Sequence, residues 1–349
     1  MPFDYDLAII GSGPAGATLA RLVGSSIRTV IIDKKKDAPG GFEKPCGGLL
    51  APDAQRALSR YDITLPKDVL VDPQIFSVKT IDLRSGLIRH YQRCYMNMDR
   101  HKFDMWLCSM IPSHVKQIEG LCMDVTPTDG GYSIEYSQNG TRCSVTAKYI
   151  VGADGANSIV RNKLFPGKKL RRYTAIQQWF VCDNQTPFYS CIFDPDTSDC
   201  CSWSISKDQY FIFGGAFPVD GSRKRFEEQK KKLRDMGFPV ESAIKTEACM
   251  VLRPRSFNDF CIGGGNAFLI GEAAGFISPS SLEGISYAME SADMLSSALG
   301  TSAPAAKYRI KTLKLRLKLG LKVLKCPFMY HPFLRKLVMK SGIQSIKVK

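Results

Sequence analysis

The chain has 349 residues, 44% apolar and 23% charged, a balance that fits a folded globular protein and excludes a disordered one. Its length suits two domains or one large α/β unit with an insertion. The net charge is +15, yet residues 307–349 hold thirteen Lys or Arg and no acid, so the first 306 residues carry only 15 − 13 = +2.

Residues 5–10 are a short apolar run and predict a buried strand. Gly11-Ser-Gly13-Pro-Ala15-Gly16 follows as a turn, 17–22 reads as helix, and 29–32 is a second strand ending on Asp33-Lys34, the acid 22 residues after the first glycine. Glycines here permit a tight turn, close approach of a pyrophosphate and close helix–strand packing. The helix start offers free N–H groups and positive dipole to phosphate. Asp33 is placed to accept from ribose hydroxyls. The pattern predicts dinucleotide binding, against the alternative of a glycine turn that binds nothing.

The run FEKPCGGLLAP spans 42–52. Pro45 fixes its own φ, while Gly47 and Gly48 let backbone pass where any side chain would clash. That suits a turn or a flat ligand lying against the peptide. Residues 73–83 (PQIFSVKTIDL) have β-rich, partly alternating character, as do 189–193, 202–205 and 210–213, and predict a second, antiparallel sheet. Arg100 opens an amphipathic helix with Phe103, Trp106, Leu107, Met110 and Ile111 on one side and Asp99 or Asn97 as cap. YIVGADGANS at 149–158 is a strand running into Asp154-Gly155. Another strand at 267–270 enters Gly271-Glu272 and leads through Pro279 to Gly284-Ile285. There Ile285, Ala288, Met289, Ala292 and Leu295 recur at helical spacing. Gln178 and Trp179 (with Gln177), Tyr189 and Trp203 are the expected wall of a substrate pocket, with an aromatic sheet core as the alternative.

The basic tail offers two periods. Residues 313–321 alternate leucine with charge, as a strand would. Over the longer span Lys307, Lys311, Lys314, Lys318, Lys322 and Lys325 step by three and four, and Ile310, Leu313, Leu317, Leu321 and Leu324 form a parallel apolar stripe. A helix is therefore predicted, with Pro327 and Pro332 breaking the chain before a short helix at 333–339. A basic amphipathic helix suits an anionic membrane surface, each cation near it contributing about 1 kcal/mol. Docking on the protein body with a solvated basic face is the alternative. Nucleic acid is not expected, since no base-stacking or groove-reading module accompanies the charge.

Twelve cysteines are scattered from Cys46 to Cys326 without a CxxC pair, and the four histidines do not cluster with them, so neither a disulfide framework nor a metal site is expected. The start MPFDYDLAII lacks a secretory signal, and no uncharged apolar run has membrane-spanning length. A cytoplasmic protein, peripheral on the inner face of the membrane through 307–349, is the expectation.

Taken together, the glycine turn, VGADGANS and GEAAGFISPSSLEGI resemble the motif set of flavoprotein reductases and monooxygenases with the p-hydroxybenzoate hydroxylase-type fold. KPCGG narrows the resemblance to the geranylgeranyl reductase family, and it extends from Asp6 to about Leu337. It implies an α/β protein: a Rossmann-type FAD-binding domain (1–71, 96–169 and 256–300), an inserted antiparallel β-sheet substrate domain (72–95 and 170–255) and a basic C-terminal helical segment (301–349). It also implies FAD, held by Gly11, Gly13, Ala15, Gly16, Asp33, Lys34, Cys46, Gly47, Gly48, Arg100, Asp154, Gly155, Gly271, Glu272, Pro279, Gly284 and Ile285. Glu272 stands where most relatives have Asp. Cys46 has three readings: a small packing residue, a group that polarises or protonates substrate, or a thiolate that tunes the flavin. Relatives that saturate isoprenoid chains carry a PxxYxWxFP element where this chain has SDCCSWSIS; Trp203 survives, Ile205 replaces Phe, and both prolines and the tyrosine are gone.

The expected activity is hydride transfer from reduced flavin to a double bond in an apolar, isoprenoid-like substrate, with NAD(P)H or a protein as electron donor. A hydroxylase that forms a flavin hydroperoxide and a non-catalytic, membrane-associated FAD-binding accessory protein are the rivals.

Overall fold

The computed structural model describes residues 2–34, 43–167, 170–183, 186 and 188–347; Phe42 of the KPCGG stretch and Lys349 lie outside them. The chain divides into two compact units, Met1–Glu43, Phe103–Arg171 and Leu252–Leu321 in the first, Lys44–Lys102, Arg172–Val251 and Lys322–Lys349 in the second.

In the first unit the strand Tyr5–Ile10 leads through the glycine turn into the helix Pro14–Leu22 and the strand Thr29–Asp33. Tyr5–Ile10 pairs in parallel with Thr29–Asp33 on one side and Thr141–Gly152 on the other, so that Ile9 lies opposite both Ile31 and Val151. Ala267–Leu269 and Lys116–Glu119 extend the parallel sheet at its two sides. Parallel strands are covered on both faces, which is why these segments read as unbroken apolar runs. Ala8, Ile10, Val30, Ile32, Ile150 and Leu269 form the core with Phe276 and Tyr287. The helix Ile285–Leu299 buries Ala288, Met289, Ala292 and Leu295 and packs against Pro14–Leu22. The antiparallel pair Leu121–Thr128 and Gly131–Gln138 adds to Thr141–Gly152 and has no counterpart in the sequence expectations.

The second unit is built on a sheet in the order Ala243–Arg253, Arg171–Val181, Tyr210–Pro218, Cys201–Lys207, Phe188–Phe193, Ile75–Asp82, Leu87–Asn97, Ser345–Ile346. The predicted strands are present, and the hairpin partners are antiparallel, as is the pair Arg171–Val181 and Tyr210–Pro218. One pair departs from the expected antiparallel sheet: Ile75–Asp82 runs parallel to Phe188–Phe193. These two come from separate insertions, so no tight turn joins them and nothing forces opposite directions. The helix Ser222–Asp235 covers one sheet face, setting Phe226 and Leu233 among Ile176, Phe180, Ile192, Phe211, Phe213 and Phe217.

The division of the chain differs from the expected one at each boundary, residues 170–171 and 252–255 falling in the first unit. Residues 44–71 and 96–102 belong with the sheet, because Leu49–Leu50 pair with Met96–Asn97 and Gly48 lies against Lys207. The tail divides at 321. It is helical as predicted, in Pro304–Lys311, Leu313–Tyr330 and Pro332–Ser341, but Pro327 sits inside a helix and does not end it. In the first unit Tyr308 is buried and its hydroxyl donates to the Leu269 carbonyl at 2.9 Å; burial holds that phenol above its usual range.

In the second unit Arg335 is buried, donates to Asp82 at 2.8 Å and to the carbonyls of Met329 and Tyr330, and stacks 4.8 Å over Phe193. Removing one partner of a buried pair strands the other's charge. Arg335→Ala is expected to lower stability by about 3–5 kcal/mol in denaturant unfolding, whereas Arg84→Ala, at the exposed Arg84–Asp196 pair, should cost about 0–1 kcal/mol.

Candidate functional site

The glycine turn of the first unit contains glycines of two kinds. Gly11 has φ +99°, and a Cβ there would lie 2.7 Å from the Ala153 carbonyl oxygen and 2.9 Å from Asp154 Cα. At Gly16 a Cβ would run into the Gly11 carbonyl. Both are required by packing. Gly13 is different: its φ is an ordinary −64°, and nothing lies within 4 Å of where its Cβ would be. Neither strain nor crowding asks for glycine at 13, so the open space is what the residue preserves. Gly13 caps the helix without a side-chain bond and Pro14 brings no amide. The first-turn amides of Ala15 and Gly16, which no helical carbonyl can reach, are thereby left for an anion.

Asp33 Oδ2 accepts from the Ser12 amide and, at 3.0 Å, from the Ser12 hydroxyl, tying the end of the second strand to the turn; Lys34 follows on the surface. Two further loops meet the turn. Gly271, at φ +56°, would place a Cβ 2.9 Å from that of Ala15, and its amide donates to Ser291 Oγ at 2.9 Å. Asp154 backs onto Gly11, and Gly155 has φ +74°. Burial raises the Asp154 pKa; one oxygen accepts from the Ile159 amide at 2.7 Å and the other is a buried acceptor with no hydrogen-bond partner among the described residues. Arg161, unremarked in the sequence, is buried and donates to the carbonyls of Ala156 (2.7 Å) and Ala273 (2.9 Å), clamping the 154–157 and 271–274 loops together. Glu272, expected to meet a cofactor hydroxyl, accepts from the Leu252 amide on Oε1 at 3.0 Å. The Pro279 carbonyl accepts from Arg253 at 2.9 Å, and Gly284 starts the helix at Ile285 without a side-chain cap.

In the second unit, Cys46-Gly47-Gly48 lies along one face of the sheet. Successive strand residues alternate between faces, so Trp203, Ile205 and Lys207 share a side. A Cβ on Gly47 would sit 2.8 Å from Ile205 Cδ1 and 3.7 Å from the Trp203 indole. Gly48, at φ +64°, would place one 2.7 Å from Lys207 Nζ. Cys46 Sγ accepts from the Gly48 amide at 3.4 Å, and the Cys249 thiol reaches the Pro45 carbonyl at 3.7 Å. Lys207 is buried. It donates to Asn97 Oδ1 and the Met98 carbonyl, each at 2.6 Å, and to the Gly48 carbonyl at 3.3 Å. Burial lowers its pKa to about 8, opposed by the charges of Cys46, Asp99 and Asp208.

The register also sorts the expected pocket wall. Gly214 lies opposite both Trp203 and Gln177, and Cys191 opposite Trp203, so Trp203, Tyr189, Gln177 and Trp179 face the same way as Lys207. Gln178 does not. It points to the other face, where Lys230 of the helix Ser222–Asp235 donates to its Oε1 at 3.0 Å and its own amide reaches Thr246. Trp179 and Gln177 both donate to Glu247, at 2.8 and 2.7 Å. Burial pushes the Glu247 pKa up, but bonds from Lys245, Gln177 and Trp179 outweigh it and hold the carboxyl low. Tyr189 meets Tyr95 edge-on at 5.5 Å. Arg100 opens the helix Arg100–Ser109, capped by Asp99, which accepts from the Lys102 amide at 2.9 Å; Asn97, the other expected cap, is spent on Lys207.

Comparison with known proteins places the chain. Residues 131–309, just over half of it, match the family model described as FAD binding domain. Protein CbrA of Escherichia coli O6:H1 is 50% identical over 346 residues, 98% of this chain and 94% of its own. The chain belongs to the CbrA family. Its fold is shared with a geranylgeranyl bacteriochlorophyll reductase-like protein from Thermoplasma acidophilum (TM-score 0.73, 17% identity, 98% of this chain and 88% of that one). It is shared equally with p-nitrophenol 4-monooxygenase PnpA from Pseudomonas putida (TM-score 0.69, 15% identity, 98% and 94%). Identities this low speak for the fold alone, which is that of FAD-dependent oxidoreductases. The first unit of this CbrA-family protein fits FAD on its own geometry: space at Gly13, open amides at Ala15 and Gly16, and an unpartnered acceptor at Asp154. Those residues and Asp33 would hold the cofactor's phosphates and hydroxyls.

Proposed function

We propose that this CbrA-family protein is an FAD-dependent reductase of carbon–carbon double bonds in an apolar, isoprenoid-like substrate. One observation carries the reading: Trp203, Ile205 and Tyr189 give apolar surface to the sheet face that also bears Gln177, and two proton-bearing groups, Cys46 and Lys207, flank the glycines beside them. Reduced FAD supplies a hydride, and with it two electrons, that NAD(P)H or a protein donor must restore. When a hydride forms a bond to one alkene carbon, the π pair moves to the other, which then needs a proton. The Cys46 thiol can give one. Lys207 holds Gly48 and Met98 by their carbonyls, fixes the loop that carries the thiol, and as a cation stabilises the thiolate left behind.

The test is reduction of the protein under anaerobic conditions, followed by addition of isoprenoid lipid or of air. Lipid should oxidise the flavin with a two-hydrogen mass gain in the lipid, while air alone acts slowly. Rapid reaction with air and release of peroxide would instead favour the hydroxylase reading. Cys46→Ala should retain FAD and slow lipid reduction by at least about tenfold, the lower range for loss of a general acid; an unchanged rate would make the thiol a packing residue.

A further inference from the structure

The helix Leu313–Tyr330 has two apolar faces, and only one is spent on the protein. Leu315 and Leu319 are at most 2% exposed and join the core of the first unit with Phe260 and Phe276. Leu313, Leu317, Leu321, Leu324 and Phe328 are 47–68% exposed. At 3.6 residues per turn these five fall within an arc of about 80°, and Leu315 and Leu319 lie on roughly the opposite side. Lys314, Lys318 and Lys325 border one edge of the exposed stripe, and Arg316, bonded to the Arg309 carbonyl, borders the other. Lys318 also reaches Glu290 at 3.9 Å.

From this we infer that the exposed stripe docks the protein on an anionic lipid surface, the helix lying in the plane of the interface with its leucines among the acyl chains and its cations at the headgroups. Charge decides the occupant. A second copy seated on the stripe would press two basic flanks together, and 307–349 contains no acid to relieve them. Anionic headgroups neutralise the same flanks, and an apolar face bordered by Lys and Arg is what binds them. No helix among the described residues is long and apolar enough to cross a membrane, so the contact is with the surface. The inference rests on this helix and stands whichever substrate is reduced.

The full-length, FAD-loaded protein is to be sedimented with phosphatidylglycerol-rich and pure phosphatidylcholine vesicles. The wild type should partition at least about tenfold more strongly onto the former, weakening with salt as screening predicts. Leu317→Glu/Leu321→Glu, and separately Lys314→Glu/Lys325→Glu, should each lose about tenfold of that binding while keeping the parent melting temperature, since all four side chains are exposed. Leu321→Trp should give a blue-shifted emission only with anionic vesicles. Equal binding to both lipids, or variants that bind like the parent, would overturn the inference. So would leucine variants whose one effect is to split an oligomer.

Discussion

Gly13→Val is expected to yield a folded protein without flavin colour. The two halves of that result have separate causes. A Cβ at 13 meets no protein atom within 4 Å and the backbone is unstrained, so the apoprotein should lose only about 0.5–1 kcal/mol from a poorer helix cap. The branched side chain would fill the space in front of the Ala15 and Gly16 amides. Two amide–phosphate bonds at about 1.5 kcal/mol each amount to roughly a hundredfold weaker FAD binding. Gly11→Ala is the contrast: its Cβ would lie 2.7 Å from the Ala153 carbonyl at φ +99°, so the fold itself should give way. Titration calorimetry with FAD and thermal melts of both variants check this. A yellow Gly13→Val protein would refute the phosphate-turn assignment.

Lys207→Met should produce the second large effect, and one that depends on pH. Methionine leaves Asn97 Oδ1 and the Met98 carbonyl without the lysine donor, while the Gly48 carbonyl keeps the Met98 amide, a loss of about 2 kcal/mol or more where such groups stay buried. The lysine itself has a folded pKa of about 8 against 10.5 in the unfolded chain. Between those values the unfolded state binds more protons than the folded one, so stability rises with pH; below about 8 the wild type carries the full cost of a buried charge. Wild-type stability minus that of Lys207→Met should therefore grow by about 3 kcal/mol from pH 7 to 10.5, at roughly 1.4 kcal/mol per pKa unit. A flat difference would mean that the ammonium is not desolvated. Lipid reduction should also slow in this variant, through a looser 46–48 loop.

The sequence made local features readable and long-range ones not. Parallel strands announce themselves as apolar runs, and the turn at 11–16 carries its geometry within six residues. Lys207 is legible from phase alone: it keeps step with Trp203 and Ile205 in an alternating strand. Gln178 departs from the expected pocket wall by the same rule, since the neighbour of Trp179 in a strand must face away from it. The stripe Leu313, Leu317, Leu321 and Leu324 lies on one exposed helix face, while Leu315 and Leu319, in phase with it only in a strand, turn to the buried side. No local pattern could have shown that Arg335 meets Asp82, 253 residues earlier, or that Arg161 joins two loops.

Trp203 occupies volume set aside by an absent side chain on the neighbouring strand: a methyl at Gly214 would sit 2.6 Å from its indole nitrogen, whereas one at Gly47 would lie at an ordinary 3.7 Å from the ring and clash instead with Ile205 Cδ1 at 2.8 Å. This imposes an order on evolutionary change. Gly214 can acquire a side chain only after the indole has shrunk, whereas the indole can shrink first and leave a void for a bulkier ligand. Homologues that handle larger molecules should therefore pass through a small residue at 203 with glycine retained at 214, and lineages keeping tryptophan should not vary 214.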